Sequence, residues 1–279
     1  MLEKKLKQLM TEKAGILDLK YDKVQVVPIN LDVEQTSLSY DNAEVFVELN
    51  NGTIFLQCSN LSKVPDDELE VMVEHLACLC KDEQEGFHCV NVFAMGSEIA
   101  KGMCLELYQS YTDYFACKRQ IGAFGKEHFD KYQIRGLQSF ADRVDKEVNS
   151  DKHHWQKFLY IAGMIKEQIK CGMMEKNPRI IPKVISKITA PLPESFERIN
   201  KSGLSWVDKS KIMFMVSTYL GRNIDLVNSY ETSRLVVAKN AVPNVSPGFL
   251  ESGIFDGKTF KAAKGIEDYI HKTYQELKN

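Results

Sequence analysis

Residues 43–58 read AEVFVELNNGTIFLQC, and this stretch predicts a β-hairpin. From Val45 to Leu49, apolar residues alternate with others, which is the period of two expected for a strand with one buried face. The pair Asn51-Gly52 favours a type I′ turn, because both central positions of that turn need a positive φ angle. A second β-rich run follows the turn, so the two runs are expected to pair as antiparallel strands.

The hairpin is flanked by further elements with clear patterns. Upstream, residues 1–14 have the apolar spacing of a short amphipathic helix, and residues 24–31 have strand character. Pro28 lies inside that second run and indicates an edge strand, since proline lacks the N–H that a central strand needs. Downstream, Pro65 and the acidic residues after it predict the start of a helix, because proline has a helical φ and acids interact favourably with the helix dipole.

The rest of the chain has mainly helical periodicity. Helices are predicted at about residues 98–120, 126–148, 152–171, 178–189, 194–202, 205–220 and 259–278. This order predicts an α+β fold, in which a small antiparallel β-containing N-terminal part is followed by a mainly helical region. We expect three parts: residues 1–96 with the strands and the first long helix, residues 97–220 with helices, and residues 221–279 with a turn-rich loop and a terminal helix.

The composition excludes several classes of protein. The chain has 279 residues, of which 44% are hydrophobic and 27% charged, and its formal net charge is -2. These values are typical of a globular protein, and no concentrated basic patch indicates nucleic acid as a partner. The sequence has no run of about 18 apolar residues, so no membrane span is predicted. The seven cysteines are irregularly spaced. This spacing favours reduced thiols and a cytoplasmic location.

The helix that follows the hairpin carries the first candidate residues. It contains Glu74-His75-Leu76-Ala77-Cys78, in which Glu74 and Cys78 are one turn apart and face away from the main apolar stripe. Two side chains at this spacing can reach one metal ion. On the next predicted helix, Gln109 and Asp113 are also one turn apart and lie on the same face. The candidate site therefore consists of Glu74, His75, Cys78, Gln109 and Asp113.

The region from residue 40 to residue 122 resembles a zincin-type metallopeptidase domain, as found in bacterial cytosolic proteins. The resemblance rests on the order of elements, a hairpin followed by two helices, and on LELYQSYTDYFACKR at residues 105–119. Within that segment, YTDYF at residues 111–115 is similar to the family's Y-T-E-Y-L. Zincins hold a catalytic zinc with H-E-x-x-H on the first helix and a glutamate on the second. The resemblance therefore implies a metal-binding helix at residues 74–78.

Compared position by position, the resemblance implies a protein that has lost its catalytic metal. Glu74 and Cys78 stand in place of the two zinc-binding histidines. His75 stands in place of the glutamate base, and Gln109 in place of the third ligand. If zinc binds at all, the remaining candidate ligands are Glu74, Cys78 and Asp113. We therefore expect a catalytically inactive pseudoenzyme without a cofactor, which binds a protein or an extended peptide at its edge strand.

Two alternatives remain open. One is an active hydrolase with a rearranged metal or Cys/His site built from Glu74, His75, Cys78 and Asp113. The other is an interaction protein in which the zincin pattern is coincidental. For the single residues, we expect Glu74 to face solvent or a cleft, and His75 and Cys78 to be partly or fully buried without a catalytic role. We also expect a hydrogen bond between Gln109 and Asp113.

Overall fold

The computed structural model describes residues 2–28, 44–59, 64–86, 98–131, 133, 154–174, 189–206, 208–209, 212–213, 216 and 257–277. Its helices are α1 (Leu2–Ile16), α2 (Asp66–Gln84), α3 (Glu98–Phe124), α4 (His154–Cys171), α5 (Leu192–Lys201) and α6 (Gly257–Glu276). Its strands are β1 (Lys23–Pro28), β2 (Glu44–Asn50) and β3 (Thr53–Ser59). The predicted combination of a small sheet with many helices is confirmed, so the fold belongs to the α+β class.

The chain divides into two compact units. The first unit contains residues 1–88 and 115–132, and the second contains residues 89–114 and 133–279. Helix α3 therefore contributes its C-terminal part to the first unit and its N-terminal part to the second. The three predicted parts stay a prediction, since their boundaries near residues 96 and 220 lie outside the described residues.

A three-stranded mixed sheet with the order β1-β3-β2 forms in the first unit. β2 and β3 pair antiparallel, with Asn50 opposite Thr53 and Val47 opposite Leu56. β1 pairs with β3 in parallel. The expected antiparallel pairing is therefore correct for the hairpin, and the sheet is mixed because β1 joins the other side of β3. Among the described strands β1 is an edge strand, and it ends at Pro28, as the missing N–H of proline requires.

The hairpin turn has the predicted type I′ geometry. Asn51 and Gly52 have φ angles of 46° and 75°. The backbone N–H of Asp22, just before β1, donates to the carbonyl oxygen of Gly52 at 2.6 Å. A Cβ atom at Gly52 would collide with the carboxylate of Asp22. Glycine is therefore needed here both for its positive φ and for the close approach of Asp22.

Helices α1 and α2 pack together and against the sheet. The alternation along β3 points Ile54 and Leu56 toward the helices, and both side chains are fully buried. The other members of this core come from α1, α2 and the residues between α1 and β1: Leu6, Met10, Ala14, Leu19, Leu69, Val73, Leu76, Ala77 and Cys80. Burial of each large side chain in such a core contributes about 1.5–3 kcal/mol.

In the second unit, α5 packs against α6. The guanidinium of Arg198 on α5 lies 4.4 Å from the ring centre of Tyr269 on α6. Helix α5 is followed by Gly203, whose φ is 67°, and the ammonium of Lys209 donates to the carbonyl oxygen of Asn200 at 3.0 Å. A left-handed glycine and a cation are common at helix C-termini, because both satisfy the last carbonyl groups.

Most predicted helices in the described ranges are present with ends shifted by a few residues. Several predicted segments lie outside the described residues: strand residues 29–31, residues 134–148 of the helix predicted at 126–148, residues 178–188 of the helix predicted at 178–189, and residues 221–256. None of the helices in the described part of the chain is long and apolar enough to cross a membrane.

Candidate functional site

Helix α2 is buried on two faces. Its main apolar stripe packs into the core shared with α1 and the sheet. The opposite face, with Val71, Glu74 and Cys78, is also buried, and Glu74 is only 2% exposed. The expectation that Glu74 faces solvent or a cleft is therefore wrong, whereas the expected burial of Cys78 is confirmed.

Glu74 is buried next to two basic side chains. Its Oε1 atom lies 3.2 Å from Lys13 Nζ on α1 and 3.4 Å from His128 Nδ1 in the helical residues 126–131. Lys13 also donates to Glu70 Oε1 at 2.5 Å. Among the described residues, Glu74 Oε2 has no hydrogen-bond partner although it is buried. The carboxylate that stands at the first metal-ligand position therefore takes part in an internal ion pair.

The position of Lys13 follows from the pattern of α1. Leu6, Met10 and Lys13 have i, i+4, i+7 spacing, so the lysine lies on the same face as two core residues. Lys13 was not predicted as a site residue because its charge indicated a surface position, although its spacing indicated the core. The ring of Phe124, with its centre 5.4 Å from Nζ, covers the ammonium group.

The contacts of Lys13 shift two pKa values in opposite directions. Burial alone would lower the pKa of Lys13, but the hydrogen bonds to Glu70 and Glu74 outweigh it and raise the pKa above its ordinary value. The hydrogen bond from Lys13 lowers the pKa of Glu70. Lys13 and Glu70 are therefore both charged at neutral pH and attract each other.

His75 is fixed by Gln120 of α3. The amide Nε2 of Gln120 donates to the carbonyl oxygen of Val71 at 3.0 Å, and its Oε1 lies 3.3 Å from His75 Nδ1. Because a carbonyl oxygen can only accept, the Gln120 amide has to present its nitrogen to Val71 and its oxygen to His75. The proton of the neutral imidazole is then on Nδ1. The expected partial burial of His75 is confirmed.

Cys117 is the thiol that the structure brings to His75. Its Sγ lies 4.0 Å from His75 Nδ1, and the residue is fully buried. A general base has to offer an unprotonated nitrogen to the thiol. Since Nδ1 already carries a proton for Gln120, this pair does not have the arrangement of a Cys-His nucleophile.

Buried thiols and an ion pair occupy the C-terminal half of α2. Burial raises the pKa of the Cys78 thiol strongly, and it raises the pKa of Cys80 to about 12. One turn after Cys78, Asp82 accepts a hydrogen bond from Arg119 Nε at 2.8 Å, and Arg119 also binds Glu85. Arg119 was not predicted as a site residue, because it stands between Lys118 and Gln120 and a short polar run of this kind is typical of a solvated helix face.

In the second unit, Gln109 and Asp113 contact lysines of α4. Gln109 Oε1 accepts from Lys166 Nζ at 3.4 Å, and Asp113 Oδ2 lies 3.3 Å from Lys170 Nζ. Gln109 and Asp113 are four residues apart on α3, and their partners Lys166 and Lys170 are four residues apart on α4 in the same order. The helices α3 and α4 therefore run parallel here. The expected hydrogen bond between Gln109 and Asp113 is replaced by these two contacts, because each side chain meets a cation on the facing helix.

The segment YTDYF at residues 111–115, which was compared with Y-T-E-Y-L above, also has a packing role in the second unit. Tyr111 is fully buried, with its ring 5.3 Å from the ring of Phe196 in an edge-to-face arrangement. The hydroxyl of Tyr114 donates to Glu197 Oε1 at 3.1 Å. These tyrosines therefore hold α3 against α5.

The described residues do not fit a zinc centre of the zincin kind. Zinc needs deprotonated thiolate or carboxylate ligands or neutral imidazoles, open to the metal. Glu74 is paired with Lys13, and burial raises the pKa of the Cys78 thiol. Within the described ranges, no three His, Cys, Asp or Glu side chains converge to hold a metal ion.

No protein family model matches this chain, and neither the curated proteins nor the solved structures include one that is significantly similar to it.

Proposed function

We propose that this protein is a catalytically inactive, zincin-like binding protein that holds an extended peptide segment of a protein partner along the outer side of β2. The proposal is carried by one observation: in the described part of the chain, β2 pairs with β3 on one side and with no strand on the other. An unpaired strand edge offers a row of N–H and C=O groups to an added strand. β2 provides seven residues for such pairing.

The register identifies the backbone groups that are available. Asn50 and Thr53 flank the two-residue turn, so they exchange backbone hydrogen bonds. Hydrogen-bonded and non-hydrogen-bonded pairs alternate along an antiparallel ladder. The pairs that Leu49 and Val47 form with β3 are therefore the non-hydrogen-bonded ones, and their N–H and C=O groups point outward. An added strand would bind these groups.

β2 suits strand addition better than the other strands. β3 is the central strand and has β1 and β2 as neighbours on its two sides. β1 ends with Pro28, which has no N–H to donate. The prediction from sequence, which placed the binding edge within residues 43–58, is thus narrowed to β2.

The proposed loss of catalysis is supported by the contacts of the candidate residues in the first unit. Glu74 is paired with Lys13, His75 is bonded to Gln120, and Cys78 is fully buried. Each side chain stabilises the packing of α2 against its neighbours.

Selection from a displayed library of random peptides tests the binding function. We expect clones that bind the native protein and are lost with Val47→Pro, which removes an outward N–H without removing a β2–β3 hydrogen bond. Val47→Thr is the matched control, because it keeps the N–H and the branched shape and should retain the clones. The circular dichroism spectra of both variants establish that they are folded.

A second measurement does not depend on the folding of a variant. A selected peptide is methylated on alternate backbone nitrogens, in one register and then in the other. Strand addition predicts that only one register abolishes binding, because only every second N–H faces β2. Equal effects of both registers, or unchanged binding to Val47→Pro, would show that the peptide binds elsewhere. The zinc content of the protein after incubation with zinc tests the proposed loss of the catalytic metal. One equivalent of bound zinc would contradict that part of the proposal.

A further inference from the structure

We infer that the segment held by β2 alternates aliphatic residues with lysine or arginine. This inference rests on the proposed function and adds the chemistry of the partner to it. It follows from the two faces of β2, which present different side chains to an added strand. A neighbouring strand places its side chains alternately on the same two faces.

The inner face of β2 presents aliphatic surface. Val47 and Leu49 pack against the core of the first unit but remain only half-buried. The residues of an added strand that lie opposite them would cover the part of these side chains that is still in contact with water. Burial of apolar surface is favourable in proportion to its area, so aliphatic residues are preferred at these positions of the partner.

The outer face of β2 presents a carboxylate. Glu48 is exposed, and its Oε1 accepts a hydrogen bond from Asn50 Nδ2 at 3.2 Å. Within the described residues Glu48 has no cationic partner, whereas many other acids of this chain are paired with lysine or arginine. A lysine or arginine directly opposite on an added strand would form a cross-strand pair, and an acid there would be repelled.

The alternation of side chains along β2 makes the preference for a basic aliphatic segment specific to one register. Val47 and Leu49 have outward backbone groups and inward side chains, while Glu48, between them, has an outer side chain. A basic aliphatic segment that is shifted by one residue would place its cations against the aliphatic face. Such a segment is disfavoured, because a one-residue shift exchanges all side chains between the faces.

Two synthetic peptides test the inference. One alternates valine with lysine and the other alternates valine with glutamate, and each has the seven-residue length of β2. Fluorescence anisotropy measures their binding to the full chain. We expect the lysine peptide to bind about tenfold more tightly, because it forms a favourable cross-strand charge pair and the glutamate peptide an unfavourable one. Glu48→Lys should reverse the preference.

Glu127→Lys is the matched control for net charge. Glu127 is exposed and lies far from β2 in sequence, in the helical residues 126–131, so this change alters the total charge equally. We expect it to leave the preference for the lysine peptide in place. If Glu127→Lys reverses the preference as Glu48→Lys does, the attraction is a property of net charge and the inference fails.

The remaining outcomes separate the inference from the proposed function. Equal affinity for both peptides, lost in Val47→Pro, would refute the basic partner and leave strand addition intact. Unchanged affinity of the lysine peptide for Val47→Pro, or no binding of either peptide, would refute strand addition at β2 and the inference with it.

Discussion

The ammonium of Lys13 lies 3.2 Å from the carboxylate of Glu74, and both side chains are almost completely buried. Removal of two charged groups from water is costly, and their attraction offsets this only while both are present. The Oε2 atom of Glu74, which has no hydrogen-bond partner among the described residues, adds to the cost. The attachment of α1 to α2 therefore depends on this pair as well as on the apolar core.

Lys13→Met should destabilise the first unit by about 3–5 kcal/mol, because it leaves Glu74 as a buried carboxylate without its lysine. Urea unfolding measures the loss. Lys5→Met is the matched control, since Lys5 pairs with the highly exposed Asp66. We expect it to cost less than about 1 kcal/mol, as for surface ion pairs. The double variant Lys13→Met/Glu74→Leu should recover most of the loss, and equal costs for Lys13→Met and Lys5→Met would contradict this account.

Glu70→Gln should make the free energy of unfolding depend less on pH in the acidic range. The pKa of Glu70 is lowered from its ordinary value of 4.5 by the hydrogen bond from Lys13. A carboxyl with a lowered folded pKa stabilises the fold above the unfolded pKa, and this contribution is lost as the pH falls through the folded pKa. The native protein should therefore exceed Glu70→Gln in unfolding free energy at pH 7 and lose that advantage below 4.5. Urea unfolding of both proteins across this pH range measures the difference.

The imidazole of His75 should carry its proton on Nδ1 when it is neutral. This follows from the orientation of the Gln120 amide between Val71 and His75. Nitrogen NMR of labelled protein distinguishes the two tautomers. In Gln120→Leu, the Nδ1 tautomer should lose its preference, and the loss of the hydrogen bond from Gln120 to the Val71 carbonyl should cost about 1 kcal/mol. Observation of the Nε2 tautomer in the native protein would refute the assigned orientation.

Gly52→Ala should cost more than Gly203→Ala. Both glycines have positive φ, at 75° and 67°, so alanine is strained at either position. At Gly52 the new Cβ also meets Asp22, whereas at Gly203 no described atom lies within 4 Å. We expect about 1 kcal/mol at Gly203 and a further loss at Gly52. Asp22→Ala combined with Gly52→Ala should bring the two costs closer, and thermal unfolding measures all of them.

The thiols of Cys78, Cys80 and Cys171 should not react in the folded protein. All three are buried, and burial raises the pKa of Cys80 and of Cys171 to about 12. The thiolate is the reactive form, and very little of it exists at neutral pH under these conditions. Alkylation followed by peptide mass spectrometry should label these cysteines only after unfolding. Rapid labelling of Cys78 in the native state would contradict its structural position.

Local patterns predicted the elements of this fold well. The alternation at residues 45–49, the Asn51-Gly52 pair and the acids after Pro65 depend on the geometry of the backbone over a few residues. For this reason, the type I′ turn and the start of α2 were predicted correctly. The apolar stripe of α2 likewise predicted which of its residues enter the core.

The candidate site was harder to predict. Sequence placed Glu74 and Cys78 on one face of α2, which is correct, but it did not show what covers that face. Lys13 and His128 surround Glu74 from distant parts of the chain, and no local pattern links them. Gln109 and Asp113 are one turn apart on α3, as Glu74 and Cys78 are on α2. The spacing did not show that both contact lysines on α4.

The amino-acid sequence by itself therefore determined the hairpin, the helices and the faces on which the candidate residues lie, because these depend on short-range periodicity. Only the tertiary structure decided the order of the strands, the burial of Glu74 and the partners of His75. These depend on contacts between residues far apart in the chain, in which a buried charge is stable only beside a partner that packing brings to it.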